Sequence, residues 1–134
     1  SWDSPMGTSV LGDGEMLTMA VKNLIENAIL YSDEGGQVGV GLREDDGTAQ
    51  ISVTDTGVGI EPEHVERIFE RFYRADPSRS RSTGGTGLGL AIVKHVANNH
   101  RGDIQVFSRP GFGSTFTLLL PIYVSENQNP IEEN

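Results

Sequence analysis

The stretch Ile51-Ser52-Val53-Thr54-Asp55-Thr56-Gly57-Val58-Gly59-Ile60 decides how this chain is read. Its first half alternates apolar and polar residues, the period-two pattern of a strand with one buried face. Asp55 continues the apolar set Ile51 and Val53 and so points to the core side, where an ionised carboxylate is costly unless something pairs with it. Gly57 and Gly59 permit a tight turn and a close approach of backbone or ligand. Taken alone, the block is equally compatible with a plain strand-ending turn. Further along, Gly84-Gly85-Thr86-Gly87-Leu88-Gly89-Leu90 places four glycines in seven residues at an expected helix start. Bare backbone N–H groups at the positive end of a helix dipole suit phosphate oxygens, although such a loop can also be a simple hinge. The block lacks the Lys-Ser/Thr ending of a P-loop, and the spacing of Gly85, Gly87 and Gly89 is not G-x-G-x-x-G. A buried acid and a glycine-lined helix start suit opposite ends of one nucleotide.

Upstream, Asp13 is placed as an N-cap, and Leu17, Ala20, Val21, Leu24 and Ala28 predict a helix through about Tyr31. Asn23, Asn27 and Tyr31 lie four apart and share one row of it. Asparagine amides donate to phosphate and their carbonyls ligate hard cations such as Mg²⁺, while a tyrosine can stack on a base. The plainer alternative is a polar helix face ending in a core-capping tyrosine. Val38, Val40 and Leu42, the turn Asp45-Asp46-Gly47 and the strand ending at Asp55 predict a β-hairpin. A second helix is expected after Glu61-Pro62, with Val65, Ile68, Phe69 and Phe72 as its apolar stripe. Residues 75–86 lack periodicity and read as a mobile loop. A third helix is expected from about Gly87 to Arg101, buried at Leu88, Ile92 and Val96, with Gly102 as its stop. Strands 104–108 and 114–120 follow, joined at Pro110-Gly111-Phe112-Gly113. This order predicts an α+β sandwich, one antiparallel-rich sheet covered on one face by three helices, with the ligand between the layers.

Composition sets the outer limits. A chain of 134 residues with 36% hydrophobic residues carries one domain and one core. No run of apolar residues approaches a membrane span, so the domain is expected to be soluble, without membrane contact of its own. It contains no cysteine, which excludes disulfide and thiolate chemistry. A formal charge of −9 disfavours nucleic acid as a partner.

Four ordered blocks carry a resemblance. Asn23-Leu24-Ile25-Glu26-Asn27-Ala28-Ile29-Leu30-Tyr31-Ser32, Asp55-Thr56-Gly57-Val58-Gly59-Ile60, Ile68-Phe69-Glu70-Arg71-Phe72-Tyr73-Arg74 and Gly85-Thr86-Gly87-Leu88-Gly89-Leu90 resemble the N, G1, F and G2 boxes of sensor histidine kinases, and especially of phosphate-sensing and related two-component systems. The likeness implies the Bergerat ATP-binding fold of the GHKL proteins, a two-layer α/β sandwich with a mixed, mostly antiparallel sheet. It implies a catalytic domain over residues 13–121 with an ATP lid at 74–86, preceded by a linker or partial first strand at 1–12 and followed by an acidic disordered tail at 122–134. By matching position, Asp55 would bind the adenine amino group, with Gly57 beside it, Gly59 and Thr115 completing the base pocket through backbone or water, and Tyr31 lying against the base. Asn27 would ligate Mg²⁺, Asn23 would assist the phosphates, and Arg71 or Arg74 would meet them. Gly85, Thr86, Gly87, Leu88 and Gly89 would form the phosphate-facing backbone.

The resemblance further implies transfer of the ATP γ-phosphoryl group to a histidine on a dimerisation domain, signalling to a response regulator, and a cytoplasmic location within a membrane-anchored parent. No His-Glu-x-x-x-Pro-like acceptor segment occurs, and His64, His95 and His100 read as boundary histidines. Leu30 stands where the family commonly has a basic residue, so one phosphate contact is either missing or supplied by Lys22 or a lid arginine. Two other functions fit the same boxes: a GHKL ATPase or anti-sigma-type serine kinase, which needs a carboxylate base near the γ-phosphate, and a noncatalytic nucleotide sensor.

Overall fold

Two central strands and the helices laid across them carry the architecture. The structure is a computed structural model that describes residues 2–3, 9–10, 12–73 and 89–122. Strands β1 (Trp2–Asp3) and β2 (Ser9–Val10) pair antiparallel with each other and do not join the main sheet, so the expected partial first strand is a separate two-residue ladder. Helix α1 (Gly14–Tyr31) starts where the Asp13 carboxylate accepts the N–H groups of Glu15 and Met16, at 2.9 and 3.2 Å. It stops at Ser32, whose hydroxyl donates back to the Ala28 carbonyl at 2.8 Å. Leu17, Ala20, Leu24 and Ala28 form its buried stripe.

Strands β3 (Val38–Asp45) and β4 (Thr48–Asp55) form the expected hairpin, with left-handed Asp46 and Gly47 at its turn. Helix α2 (Pro62–Val65), helix α3 (Gly89–Asn99), and strands β5 (Asp103–Arg109) and β6 (Gly113–Pro121) complete the described elements. The sheet order is β3-β4-β6-β5, and every pairing among the described strands is antiparallel. On its inner face Ile51 lies opposite Leu118 and Val53 opposite Phe116, all buried beneath α1 and α3. The alternation that assigned Ile51, Val53 and Asp55 to one face is therefore observed directly.

Two local expectations are corrected. The second helix is one turn long: after Val65 the chain passes into successive i→i−3 bonds, with Arg67 N–H donating to His64, Glu70 to Arg67 and Tyr73 to Glu70. Ile68 and Phe69 still reach the core, Phe69 edge-on to Phe116 at 6.2 Å, but Phe72 adopts φ +66° and is 67% exposed. An apolar spacing of three and four suits consecutive turns as well as a helix. The third helix ends at Asn99, and the residue that takes the left-handed conformation after it is Arg101 (φ +58°), not Gly102. Gly102 donates its N–H to Ala97 at 2.8 Å, the long bond of a Schellman end, and is glycine because a Cβ there would overlap the Leu119 carbonyl. Finally, His100 is a structural joint. Its Nε2 accepts the Asp13 N–H at 3.0 Å and its Nδ1 donates to the Val96 carbonyl at 2.8 Å, which ties the start of α1 to the end of α3.

These two neighbours predict opposite effects. Gly102→Ala should lower stability by roughly 2 kcal/mol or more through backbone overlap, whereas Arg101→Gly should be neutral or stabilising by up to about 1 kcal/mol through relief of left-handed strain. Urea unfolding of both variants checks this; a Gly102→Ala midpoint equal to the parent's would refute the close-packing account.

Candidate functional site

Strands β4 and β6 are the middle pair of the sheet, and their register sets Asp55 directly opposite Ser114. These are the two buried polar side chains among the described residues, 3% and 6% exposed. Asp55 Oδ1 accepts the Gly57 N–H at 2.9 Å, and the backbone N–H of Ser114 also donates to the carboxylate. Burial pushes the Asp55 carboxyl above its ordinary range, and the two N–H donors only partly oppose that rise. An acid so placed keeps spare acceptor capacity for a ligand donor.

The loop after Asp55 is held against two other elements. Val58 N–H donates to the Tyr31 carbonyl at 3.2 Å, Gly111 N–H donates to the Val58 carbonyl at 2.8 Å, and Ile60 N–H donates to Ser108 Oγ at 2.7 Å. Thr56 and Gln37 exchange two bonds, at 2.9 and 3.1 Å, beside the open end of the β3–β4 hairpin. Gly57 is required because a Cβ would overlap the Tyr31 carbonyl, and Gly59 because the chain adopts φ +74° while pressed on the Arg109 carbonyl. The loop therefore bonds both the end of α1 and the β5–β6 hairpin.

Along α1, Asn23, Asn27 and Tyr31 are each half-buried in one row beside the core stripe. The row runs from the Asp55 loop, which Tyr31 touches through its carbonyl, to the start of α3. There a Cβ built on Gly89 would stand 3.4 Å from Asn23 Oδ1. Eight residues of helix span about 12 Å, so the row reaches from a buried acid to a helix N-terminus. Arg71 is exposed in the turns after α2. Arg74, Gly85, Thr86, Gly87, Leu88 and the expected lid at 74–86 lie outside the described residues.

The side chain of Thr115 faces the opposite side of the sheet from Asp55, where its hydroxyl pairs with that of Thr54 at 3.1 Å, so a part in the base pocket would fall to its backbone or a water. Ser114 occupies the inward position instead. The signal was present in the sequence: if Phe116, Leu118 and Leu120 face the core, period two sends Ser114 inward and Thr115 outward. Ser108, which links the loop to Ser114, was also missed; a serine at a strand end carries no distinguishing mark.

The model of the histidine kinase-, DNA gyrase B- and HSP90-like ATPases matches residues 12–124. The chain belongs to this ATPase family. Within it the similarity is to sensor histidine kinases. The chain is 56% identical over 121 residues to the sensor-like histidine kinase SenX3 of Mycolicibacterium smegmatis, covering 90% of this chain and 32% of that protein. It is 45% identical over 127 residues to the phosphate regulon sensor protein PhoR of Pseudomonas aeruginosa, covering 94% of this chain and 29% of that protein. The solved structure of the mycobacterial sensor histidine kinase MprB superposes with a TM-score of 0.75 at 39% identity, covering 87% of this chain and 78% of that one. The chain thus spans about a third of the length of the curated relatives it matches. The α/β sandwich expected from the four boxes is the fold observed.

For this ATPase-family domain the buried acid has a measurable cost. The folded state holds the Asp55 proton more tightly than the unfolded chain, whose carboxyl titrates near 3.8. The Asp55 contribution to stability is therefore fully present below that value and is lost as pH rises through the higher folded-state value. Asp55→Asn cannot ionise, so the stability difference between variant and parent should shift in the variant's favour between pH 3.8 and neutrality. Urea titrations across that interval check the sign; a difference that does not move with pH would refute a net burial cost.

Proposed function

We propose that this domain binds Mg-ATP between α1 and the Asp55–Ile60 loop and donates the γ-phosphoryl group to a histidine on a separate domain, within a two-component sensor kinase that signals to a response regulator. The observation that carries the reading is the buried Asp55 carboxylate, which faces inward beside Ser114 and accepts backbone N–H groups from Gly57 and Ser114. An exocyclic adenine amino group is the donor such a site lacks. Guanine offers a carbonyl there and would meet like partial charge.

The residues present fit both halves of the ligand. Gly57 and Gly59 carry no side chain at the mouth of the acid, and Tyr31 adjoins them. At the far end of the row, Asn23 beside the start of α3 supplies an amide where a helix dipole favours phosphate. No group of three or more His, Cys, Asp or Glu side chains among the described residues could hold a metal by itself. A single Asn27 carbonyl oxygen suits Mg²⁺, which keeps waters and takes its remaining ligands from phosphates. When bound, the metal would neutralise phosphate charge; Asn23 and Asn27 would orient the chain of phosphates for in-line transfer.

The described histidines support an external acceptor. His64 is hydrogen-bonded to Tyr73, His95 to Asn99 at 3.2 Å, and His100 to Asp13 and Val96. Transfer is favoured over hydrolysis because Asn23, an amide, cannot act as a base toward water, and Glu26 is exposed on another part of α1.

Calorimetric titration with a non-hydrolysable ATP analogue tests the site. Asp55→Asn should weaken adenine-nucleotide binding at least about tenfold and erode selectivity over guanine, and Asn27→Asp should change the Mg²⁺ dependence. Unchanged binding in both variants rules the assignment out. A second comparison follows from the register: Ser114→Ala should weaken binding several-fold, while Thr115→Val, on the outer face, should stay within about twofold. With a helical acceptor hairpin supplied in trans, the domain should phosphorylate histidine; release of inorganic phosphate without acceptor would favour an ATPase instead.

A further inference from the structure

We propose that Ser108 is a positioning residue for the nucleotide base, acting through Ser114 and the Ile60 amide without touching the ligand; the inference rests on the reading of Asp55 as the adenine acceptor. Ser108 lies on β5 directly opposite Ser114, one strand further from Asp55, and is half-buried. Its hydroxyl makes three contacts: it accepts the Ile60 N–H at 2.7 Å, it lies 2.7 Å from Ser114 Oγ, and it lies 3.2 Å from the Gly113 carbonyl. A hydroxyl has one proton and two acceptor sites. The Ile60 N–H occupies one acceptor site, so the proton goes either to Gly113 or to Ser114.

Distance chooses between the two. The Ser114 contact has the length of a strong O–H···O bond and the Gly113 contact is long for one. If Ser108 gave its proton to Gly113, Ser114 would donate to Ser108 and have only lone pairs left for a ligand. If Ser108 donates to Ser114, the Ser114 proton is free to meet a ligand acceptor. The second arrangement leaves the base end of the site with one acceptor, Asp55, next to one donor, Ser114. The ring nitrogen beside the adenine amino group is an acceptor, whereas guanine reverses both positions. Ser108 therefore sets the donor–acceptor sense of the pocket, and through Ile60 it fixes the far end of the loop whose near end holds Asp55.

The test compares Ser108→Ala, Ser108→Thr and Asp55→Asn in this chain by calorimetry with adenosine, ATP and GTP analogues, and by amide exchange at Ile60. Ser108→Ala should weaken adenosine and ATP binding by the same factor, about tenfold, and should reduce the preference for adenine over guanine by a similar factor. Its Ile60 amide should exchange at least about tenfold faster in the unliganded domain. Ser108→Thr, which keeps the hydroxyl, should stay within about threefold of the parent on every measure. A merely structural serine would change stability but not base preference. Folded Ser108→Ala with unaltered base preference overturns the proposal, as does Ser108→Thr losing as much as Ser108→Ala. If Asp55→Asn weakens binding and Ser108→Ala does not, the Ser108 inference alone fails. If Asp55→Asn also binds like the parent, the adenine reading itself fails.

Discussion

A carboxylate removed from water at the end of the two central strands is the constraint on which this structure turns. Asp55 is desolvated by the same packing that buries Ile51 and Val53, and the backbone donors Gly57 and Ser114 relieve only part of the cost. A carboxylate has about four acceptor positions, so two protein donors leave room for more. A fold optimised for stability alone would place an apolar residue there, continuing the strand's alternation. On the proposed function the acid is instead held ready for a donor that arrives with a ligand, and its burial is what makes that donor valuable: in a dry site an added hydrogen bond to a charge is stronger than one in water.

The elements around Asp55 are fixed chiefly by backbone hydrogen bonds at the base end of the proposed site. At the base end the loop from Thr56 to Ile60 is bonded through backbone groups to α1, to the turn before β3 and to the β5–β6 hairpin. Gly57 and Gly59 are pressed so closely on the Tyr31 and Arg109 carbonyls that no other residue fits without backbone movement. At the phosphate end the described contacts are side chains of α1 and the first residue of α3. Helix α1 joins the two ends as a rigid row, capped at its start by Asp13 and tied through His100 to the end of α3. The two helices are thus fixed to each other at one extremity and flank the proposed phosphate position at the other.

What could be read from the sequence followed from periods, and what could not followed from tertiary competition. Strict alternation in β4 placed Asp55 inward, and the same rule applied to β6 places Ser114 inward. It also turns the Thr115 side chain outward, to pair with Thr54. The Asp46-Gly47 turn, the Asp13 cap and the Asn23, Asn27, Tyr31 row are local signals that survive in the structure. The segment after Pro62 shows the limit: Val65, Ile68 and Phe69 do bury, but a run of tight turns buries them as well as a helix would, and Phe72 then emerges on the outside. At the end of α3 the local preference for glycine at positive φ was overridden. Gly102 is held by the Leu119 carbonyl, which leaves Arg101 to take the strained conformation. The roles of His100 and Ser108 exist only between elements remote in sequence, so no local pattern could announce them.

On the proposed function, the fixing of the base end has a consequence for turnover. Binding energy realised equally before and during transfer tightens the complex without speeding the reaction, and a base anchor far from the reacting phosphorus is of that kind. Its use is orientation: a purine held at Asp55 by groups that cannot shift leaves the phosphates pointing along α1 toward α3. Groups that act on the γ-phosphate must instead release product and admit a second protein carrying the acceptor. Amide side chains such as Asn23 and Asn27 suit that duty because they orient oxygen and metal without offering a base to water. A domain with a rigid base pocket and amide-lined phosphate positions is therefore organised to hold a phosphoryl donor intact until its protein partner arrives.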